Sequence, residues 1–174
     1  MAAESPLEGE EVVVLVRDAQ AGDVVAMSAL MDRLAPFVGR ICGPIALDQG
    51  PDAAQEALIQ IFSDLRGLRE PRALRGWARR IATREAVRHV ERVRARLRSS
   101  VETDVLRAPG SGARDAEVRD TLERLRPAER SILVLRDVEG LCEAEAASEL
   151  DVARGTAKSR LSRARAAFIA RWRE

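Results

Sequence analysis

The chain has 174 residues, of which 46% are hydrophobic and 33% are charged, while aromatic residues make up 3% and Tyr is absent. This composition is typical of a soluble, helix-rich protein with one or two small domains, and we expect an all-α fold. Two cysteines and one histidine cannot form a four-ligand zinc site without carboxylates. We therefore expect no metal and no cofactor, and we interpret Cys42 and Cys142 as lone buried thiols in a reducing cytoplasm. Without a leader sequence or a bilayer-length apolar run, secretion and membrane insertion are not expected.

The net charge of +1 conceals a strong asymmetry along the chain. Residues 1–65 hold 11 acids and 3 bases, whereas residues 66–98 hold 12 arginines and 3 glutamates. A second basic block, residues 154–173, contains 7 bases and no acid. Two local basic blocks favour a polyanionic partner, although the overall charge is close to neutral.

The acidic first third of the chain predicts three amphipathic helices. The first covers residues 10–20, and Asp23 is expected to cap a second helix with apolar residues as far as Ile41. Pro36 is expected to kink this second helix, and Gly43-Pro44 and Gln49-Gly50-Pro51 predict a loop after it. Asp52 is then expected to cap a third helix, whose predicted apolar face consists of Ala54, Leu58, Ile61, Phe62 and Leu65.

A long basic helix is predicted over residues 72–98, after a turn that ends at Pro71. Its expected inward residues are Leu74, Trp77, Ile81, Val87 and Val90. Trp77 could in principle stack on a nucleic-acid base, but its phase favours packing in the core. His89 is expected at the surface, near phosphates. These helices form a predicted first domain, residues 1–98, and a linker rich in Ser, Pro and Gly follows at 99–115.

The predicted second domain, residues 116–174, contains a helix-turn-helix pattern. Leu122 and Leu125 are expected on one helix, and Pro127 begins the next, which Gly140 ends. Two further helices, 142–150 and 154–171, flank a tight turn at Asp151-Val152. Asp tolerates the left-handed backbone that such a turn needs, and the small Ala147 suits a close helix crossing.

The last helix carries the stretch RGTAKSRLSRARAAF. Ala157, Leu161, Ala164 and Phe168 recur at helical spacing and predict its buried stripe. Lys158, Ser159, Ser162, Arg163 and Arg165 then project outward, where such side chains can bond to base edges and phosphates in a major groove. The alternative is a solvated basic face, but solvated helix faces usually alternate in sign.

Several stretches of the chain resemble a known protein family. GLCEAEAASELDVARGTAKSRLSRARAAF is similar to region 4 of the extracytoplasmic-function (ECF) sigma factors of bacterial RNA polymerase, as is the preceding LRPAERSILVLRDVEGL. LVRDAQAGDVVAMSALMDRLAPFVGRI, PDAAQEALIQIF and LRGWARRIATREAVRHVERVR resemble region 2 of the same family. The resemblance covers about residues 12–98 and 116–170.

The resemblance implies a transcription initiation factor, with no enzymatic activity, that binds core polymerase through its β′ and β subunits. It also implies promoter DNA and an anti-sigma factor as partners. The implied −35 contacts are Arg154, Thr156, Lys158, Ser159, Arg160, Ser162, Arg163 and Arg165; those at the −10 region are Arg79, Arg80, Arg84, Arg88 and Arg92. The implied polymerase-binding residues are Gln55, Glu56, Ile59 and Gln60. The family's capping Ser is replaced by Cys142, and loss of such a cap costs about 1 kcal/mol.

Two other functions remain open from the sequence. The chain could be a sigma-like module that sequesters an anti-sigma factor without reading DNA, although its intact basic helix argues against this. It could also be a stand-alone helix-turn-helix regulator, but the basic block at 66–98 would then be unexplained. An enzyme is not expected, since the sequence has no phosphate-binding glycine loop and no histidine paired with a nucleophile.

Overall fold

The computed structural model describes residues 7–99 and 113–172, and these residues form helices and turns without a strand. The predicted all-α fold is therefore confirmed. The helices are α1 Glu10–Ala21, α2 Val24–Ala46, α3 Gly50–Asp64, α4 Leu74–Ser99, α5 Ala113–Glu123, α6 Pro127–Leu133, α7 Glu143–Glu149 and α8 Arg154–Trp172.

Helices α1 to α4 pack around one apolar core, and we call residues 7–99 the N-terminal half. Asp23 caps α2 as predicted, since its Oδ1 accepts hydrogen bonds from the backbone N–H of Val25 at 2.8 Å and of Ala26 at 2.9 Å. Asp52 is not a cap, because α3 begins two residues earlier at Gly50 and Asp52 lies in its first turn. An acid in the first turn still stabilises the helix, because its negative charge interacts favourably with the positive end of the helix dipole.

The loop predicted at Gly43-Pro44 is wrong. Helix α2 continues through Pro36 and Pro44 to Ala46, and its side chains are buried on both sides of the two prolines. A Cβ built on Gly50 would lie 3.0 Å from the Cα of Gly43. These two glycines therefore allow the backbones of α2 and α3 to approach closely, and tertiary packing overrides the turn signal that they give in the sequence.

Helix α4 buries small residues at every fourth position. Leu74, Ala78, Ala82, Ala86 and Val90 are buried, whereas the predicted inward residues Trp77, Ile81 and Val87 are only partly buried at the edge of the core. The alanines bring α4 close to α2 and α3. Core packing of Trp77 is thus supported, but the central stripe of α4 is made of alanine.

The C-terminal half, residues 113–172, has its own small core around Ile132, Leu135, Leu141 and Leu161. Pro127 begins α6 as predicted, a π-helical turn covers residues 134–138, and Gly140 ends this run with a φ of +71°. Leu125 does not share a helix with Leu122, because α5 ends at Glu123 and Leu125 lies in the turn that follows. The predicted domain boundaries stay predictions: α4 ends at Ser99, α5 begins at Ala113, and most of the predicted linker lies outside the described residues.

Candidate nucleic-acid interface

Helix α7 begins with a capping box built on a cysteine. The Sγ of Cys142 accepts a hydrogen bond from the backbone N–H of Glu145 at 3.5 Å, and the Glu145 carboxylate accepts one from the backbone N–H of Cys142 at 2.6 Å. The loss of a cap expected at this position is therefore wrong, since Cys142 fills the role of the usual Ser. The backbone and side-chain hydrogen bonds from Cys142 also lower the pKa of Glu145.

The turn between α7 and α8 has the geometry that the sequence predicts. Asp151 has a φ of +52°, which is the left-handed conformation that Asp tolerates. The next backbone N–H, that of Val152, donates to the carbonyl of Ala147 at 3.0 Å, and the small Ala147 is buried. This turn fixes the direction of α8 relative to α7.

Helix α8 has a buried face and a basic face. Ala157, Leu161 and Ala164 are buried and Phe168 is half-buried, as predicted. On the opposite face the exposed side chains are those of Arg154, Lys158, Ser159, Ser162, Arg163 and Arg165. Because the apolar stripe holds α8 against α6 and α7, these polar groups point away from the core and are available to a nucleic acid.

Two cations of the basic face are paired with acids of the same half. The Nε of Arg154 lies 3.1 Å from a carboxylate oxygen of Glu143, and the Nε of Arg165 lies 3.3 Å from Asp137. The hydrogen bond from Arg165 to Asp137 raises the pKa of this guanidinium further. Such exposed pairs are weak, so a phosphate can displace the acid, but the pairs fix the side-chain directions.

Thr156 and Arg160 are less exposed than the other predicted −35 residues. The backbone carbonyl of Thr156 accepts a hydrogen bond from the Ser159 hydroxyl at 3.0 Å. Arg160 lines a cavity of about 400 Å³ between α8 and α4, which also contains Arg84 and Arg88. In this arrangement Arg160 therefore faces the N-terminal half rather than open solvent.

The five arginines predicted for the −10 region do not form one free surface. Arg80, Arg84 and Arg88 are exposed on α4. Arg79 is only 13% exposed and forms an ion pair with Glu149 of α7, at 2.8 Å. Arg92 forms an ion pair with Glu56 of α3. The charge track predicted from helical spacing is thus interrupted at both ends by carboxylates from distant parts of the chain.

Glu56, Arg92 and His89 form one cluster at the junction of α3 and α4. The Nδ1 of His89 lies 3.1 Å from the Glu56 carboxylate and 3.2 Å from the Nη2 of Arg92. Desolvation alone would raise the pKa of Glu56, but the hydrogen bonds and charges of Arg92 and His89 outweigh it and lower that pKa. His89 is 7% exposed, so its predicted surface position is wrong.

The outer face of α3 is apolar. Ile59 is 58% exposed and Phe62 is 55% exposed, whereas Ala53, Ala57, Ile61 and Leu65 are buried. Phe62 was expected on the buried face, and this expectation is wrong because the core is filled by a stripe one residue out of phase. Gln55 and Gln60 are exposed on the same helix, and Phe62 also lines a groove of about 460 Å³ with Val24 and Met27 of α2.

Sequence reasoning missed three charged residues of the C-terminal half whose side chains are buried or largely buried. They are Glu139 and Glu149, which pair with arginines far away in the sequence, and Arg130, which bonds to Leu122 of the preceding helix. Burial, together with the nearby charge of Arg94, lowers the pKa of Arg130 to about 10, and its Nη1 donates to the carbonyl of Leu122 at 3.2 Å. No local pattern marks these residues, since their partners come from other helices.

The described residues contain neither a candidate metal site nor a membrane-spanning helix. Within residues 7–99 and 113–172, no group of three or more His, Cys, Asp and Glu side chains is arranged to hold a metal ion. Among the helices in these ranges, none combines the length and the apolar character that a bilayer crossing requires.

The fold and the basic face together define an all-α protein with a C-terminal helix-turn-helix. Residues 115–168 match the family described as Sigma-70, region 4. The chain is 30% identical to the ECF RNA polymerase sigma-E factor of Escherichia coli K12 in an alignment that covers 89% of this chain and 91% of that relative. It therefore belongs to the ECF RNA polymerase sigma factors, and the predicted resemblance is confirmed.

Other relatives agree with this assignment. The ECF RNA polymerase sigma factor SigE of Mycolicibacterium smegmatis is 31% identical over 125 residues, which cover 66% of this chain and 48% of that protein. Two solved structures share the fold. One is CnrH in complex with the cytosolic domain of CnrY (TM-score 0.64, 23% identity, 92% of this chain and 96% of that one). The other is RpoE in complex with the anti-sigma factor NepR from Bartonella quintana (TM-score 0.67, 21% identity, 86% and 98%).

Proposed function

We propose that this chain is an alternative sigma factor that binds core RNA polymerase and directs it to promoters through two DNA contacts. The observation that carries the proposal is the exposed basic face of α8, which is held outward by the buried stripe Ala157, Leu161 and Ala164. Membership of the ECF family supports it independently. A protein with this role initiates transcription, catalyses no reaction of its own and works in the cytoplasm, where polymerase and chromosome are found.

In this proposal α8 lies in the major groove of the −35 element. The exposed Lys158, Ser159, Ser162 and Arg163 contact base edges or the nearby backbone, because Lys, Arg and Ser supply the donors that major-groove acceptors require. Thr156, Arg160 and Arg165 hold phosphates, and Arg154 can do either. Arg160 turns toward DNA only after the C-terminal half has left α4.

Helix α4 is proposed to bind the −10 region. Its exposed Arg80, Arg84 and Arg88 follow one another at helical spacing and can hold the phosphates of a separated strand. Opening a duplex costs a few kcal/mol per unstacked step, and binding of one strand to this basic surface offsets that cost. Arg79 and Arg92 join this contact when phosphates replace their present carboxylate partners.

Helix α3 is proposed to bind core polymerase through Gln55, Glu56, Ile59 and Gln60, with Phe62 as an additional anchor. The support is chemical: exposed apolar side chains rimmed by polar ones are typical of a protein–protein interface. The binding partners are the β′ and β subunits. By analogy with CnrH and RpoE, which were solved in complexes with CnrY and the anti-sigma factor NepR, we also propose an anti-sigma factor as a partner.

The proposal is tested by run-off transcription with purified core polymerase, this chain and promoter fragments from the source genome. We expect the chain to bind core polymerase and to give discrete transcripts that core polymerase alone does not produce. If the chain neither binds core polymerase nor gives transcripts, the proposal is refuted. Binding to core polymerase without transcripts would favour instead a sigma-like module that sequesters an anti-sigma factor.

A further inference from the structure

The single histidine of the chain lies beside the surface that is proposed to bind core polymerase. Along α3, Glu56, Ile59 and Gln60 are three and four residues apart, so they share one face of the helix. Helix α4 packs against α3, and His89 of α4 lies next to Glu56. His89 therefore contacts a residue of the proposed interface without having been assigned a part in it.

Two donors from α4 meet a single oxygen of the Glu56 carboxylate. The Nη2 of Arg92 donates to Oε2 of Glu56, and the Nδ1 of His89 lies 3.1 Å from the same oxygen. In the tautomer that carries its proton on Nδ1, the imidazole donates to this oxygen as well. The other oxygen, Oε1, accepts no hydrogen bond from the residues that the structure describes. Glu56 therefore keeps one acceptor free for a partner, while the other oxygen fixes its orientation.

The histidine, rather than the arginine, is the rigid part of this cluster. The side chain of His89 is 9% exposed, whereas those of Arg92 and Glu56 are 37% and 38% exposed. A partly exposed ion pair is weak by itself, because both long side chains can move and water competes for each of them. The imidazole is held in place by its burial, so the carboxylate takes up the position that the ring defines.

A carboxylate with a fixed orientation binds a partner more tightly than a mobile one. Ordering a long side chain at an interface lowers affinity, and a side chain that is already ordered avoids this loss, which corresponds to about two- to tenfold in the dissociation constant. On the same face of α3, Ile59 is 58% exposed. The surface thus presents an oriented acceptor beside an apolar side chain, which fits a polymerase surface with a lysine, arginine or amide donor next to an apolar group.

We propose that His89 and Arg92 are positioning residues for core polymerase: they hold Oε2 of Glu56, so that Oε1 meets a hydrogen-bond donor on the polymerase. This inference rests on the proposed function for its partner and deepens it, since it adds the buried His89, which acts through Glu56. The DNA contact proposed for Arg92 requires the same guanidinium, so core affinity is measured without DNA.

The cluster is tested first in the free chain, by NMR titration of the Glu56 carboxyl carbon. Desolvation would raise the pKa of Glu56, but the hydrogen bonds and charges of Arg92 and His89 lower it below its ordinary value of 4.5. His89→Leu and Arg92→Ala should each return this pKa toward 4.5. Arg94→Ala, which removes an exposed arginine from the same helix, should not. If the parent carboxyl already titrates at its ordinary value, Glu56 is not held and the inference is overturned.

The consequence for binding is measured by titration of the labelled chain with core polymerase. Arg92→Ala and His89→Leu should each weaken binding about two- to tenfold, and Arg94→Ala should bind as the parent does. In a Glu56→Ala background, His89→Leu should cause no further loss, because its effect passes through the missing carboxylate. An equal loss with and without the Glu56 carboxylate would show that His89 acts in another way and would overturn its positioning role.

A charge exchange separates positioning from stabilisation. Glu56→Arg alone places two guanidinium groups together, whereas Glu56→Arg/Arg92→Glu restores the ion pair in reverse and should bring the urea midpoint back toward that of the parent. The core affinity of the exchanged variant should stay low, because a guanidinium now faces the polymerase donor. If the exchange restores both stability and core affinity, the pair only holds α3 against α4 and the inference is overturned.

Failure of this inference differs from failure of the proposed function. If the parent does not bind core polymerase, the proposed function is refuted, while the titration of the Glu56 carboxyl still decides whether the cluster holds it. If the parent binds and Glu56→Ala binds as tightly, the proposed function stands and the positioning role of His89 and Arg92 is refuted.

Discussion

Ile61 and Phe62 are neighbours on α3 but face opposite environments: Ile61 is fully buried, whereas more than half of Phe62 is exposed to solvent. The core needs the stripe Ala53, Ala57, Ile61 and Leu65, which recurs every fourth residue, and Phe62 falls 100° away from it. An exposed aromatic beside the exposed Ile59 leaves an apolar surface that the fold itself does not use.

Phe62→Ala should weaken binding to core polymerase about tenfold, because aromatic anchors near the centre of an interface contribute about 1–2 kcal/mol or more. Its unfolding free energy should change little, since most of the side chain is already in water. The titration of labelled chain with core polymerase measures the affinity, and urea denaturation measures the stability.

Two variants serve as controls for Phe62→Ala. Ile61→Ala should destabilise the fold by about 2–5 kcal/mol, as expected for a large-to-small change in a core. Val14→Ala removes an exposed apolar side chain of α1 and should leave both quantities unchanged. If Phe62→Ala binds core polymerase as tightly as the parent, Phe62 is not part of the interface.

The basic face of α8 gives a second prediction. Lys158→Ala and Arg163→Ala should lower transcription from some promoter sequences more than from others, since these side chains are proposed to contact bases. Arg165→Ala should weaken DNA binding nearly equally on all sequences and reduce the salt slope by about 1, as for a phosphate contact. Run-off transcription and salt titrations measure the two effects.

The matched control for these variants is Arg124→Ala, which removes an exposed arginine that pairs with Asp120 one turn earlier. It should not change promoter preference. If Lys158→Ala, Arg163→Ala and Arg165→Ala lower transcription equally on every promoter sequence, Lys158 and Arg163 do not contact DNA bases.

The two cysteines should differ sharply in reactivity, although the sequence predicts that both are buried. Cys42 is buried and its Sγ lies 3.6 Å from the carbonyl of Ala82. Burial, together with the charge of Glu85, raises its pKa to about 12. Cys142 is exposed. Because the thiolate is the reactive form, iodoacetamide at pH 8 should label Cys142 and spare Cys42.

Peptide mass spectrometry measures the labelling of each cysteine. In urea both thiols should react, which gives the control for intrinsic reactivity. Rapid labelling of Cys42 in the folded protein would show that α2 and α4 separate far more readily than their packing indicates.

The cluster of Glu56, His89 and Arg92 predicts a pH dependence of stability. The pKa of Glu56 is lowered from its ordinary value of 4.5, so the folded state binds this proton less readily than the unfolded state does. The stabilisation is therefore complete above about pH 4.5 and is lost as the pH falls through the lowered pKa. Urea midpoints of the parent above and below pH 4.5 should show this loss.

Glu56→Gln should show a smaller fall in stability over the same acidic range, because it has no carboxylate to titrate. Glu117→Gln, at an exposed position of α5, should retain the parent's pH dependence. If Glu56→Gln follows the parent curve through the acidic range, the cluster does not contribute to folding at neutral pH.

Local patterns were sufficient for the helix-turn-helix. Asp151 adopts the left-handed turn, Gly140 ends the preceding run, and the stripe from Ala157 to Ala164 faces the core, all as predicted. The same holds for the Asp23 cap. Each of these features depends on residues within about one or two helical turns, so the neighbouring sequence is enough to predict it.

Predictions failed where a distant neighbour decides the outcome. Gly43 and Pro44 indicate a loop locally, yet packing of α2 and its close approach to α3 keep them helical. His89 was expected at the surface but is buried, and Phe62 was expected in the core but is exposed. Both predictions failed because the phase of a helix in the core is set by all the helices that pack on it. Whether a basic side chain is free is decided in the same way.

The sequence by itself determined the all-α class and the helix-turn-helix, because periodicity, capping and turn chemistry are local properties, and its resemblance to known sequences indicated the family. Only the tertiary structure decided which of the arginines are free. Arg79 and Arg84 look alike in the sequence, but Arg79 is held by Glu139 and Glu149, which follow it by 60 and 70 positions, while Arg84 remains exposed. Ion pairs form between groups that the fold brings within a few ångströms, and no local pattern specifies such pairs.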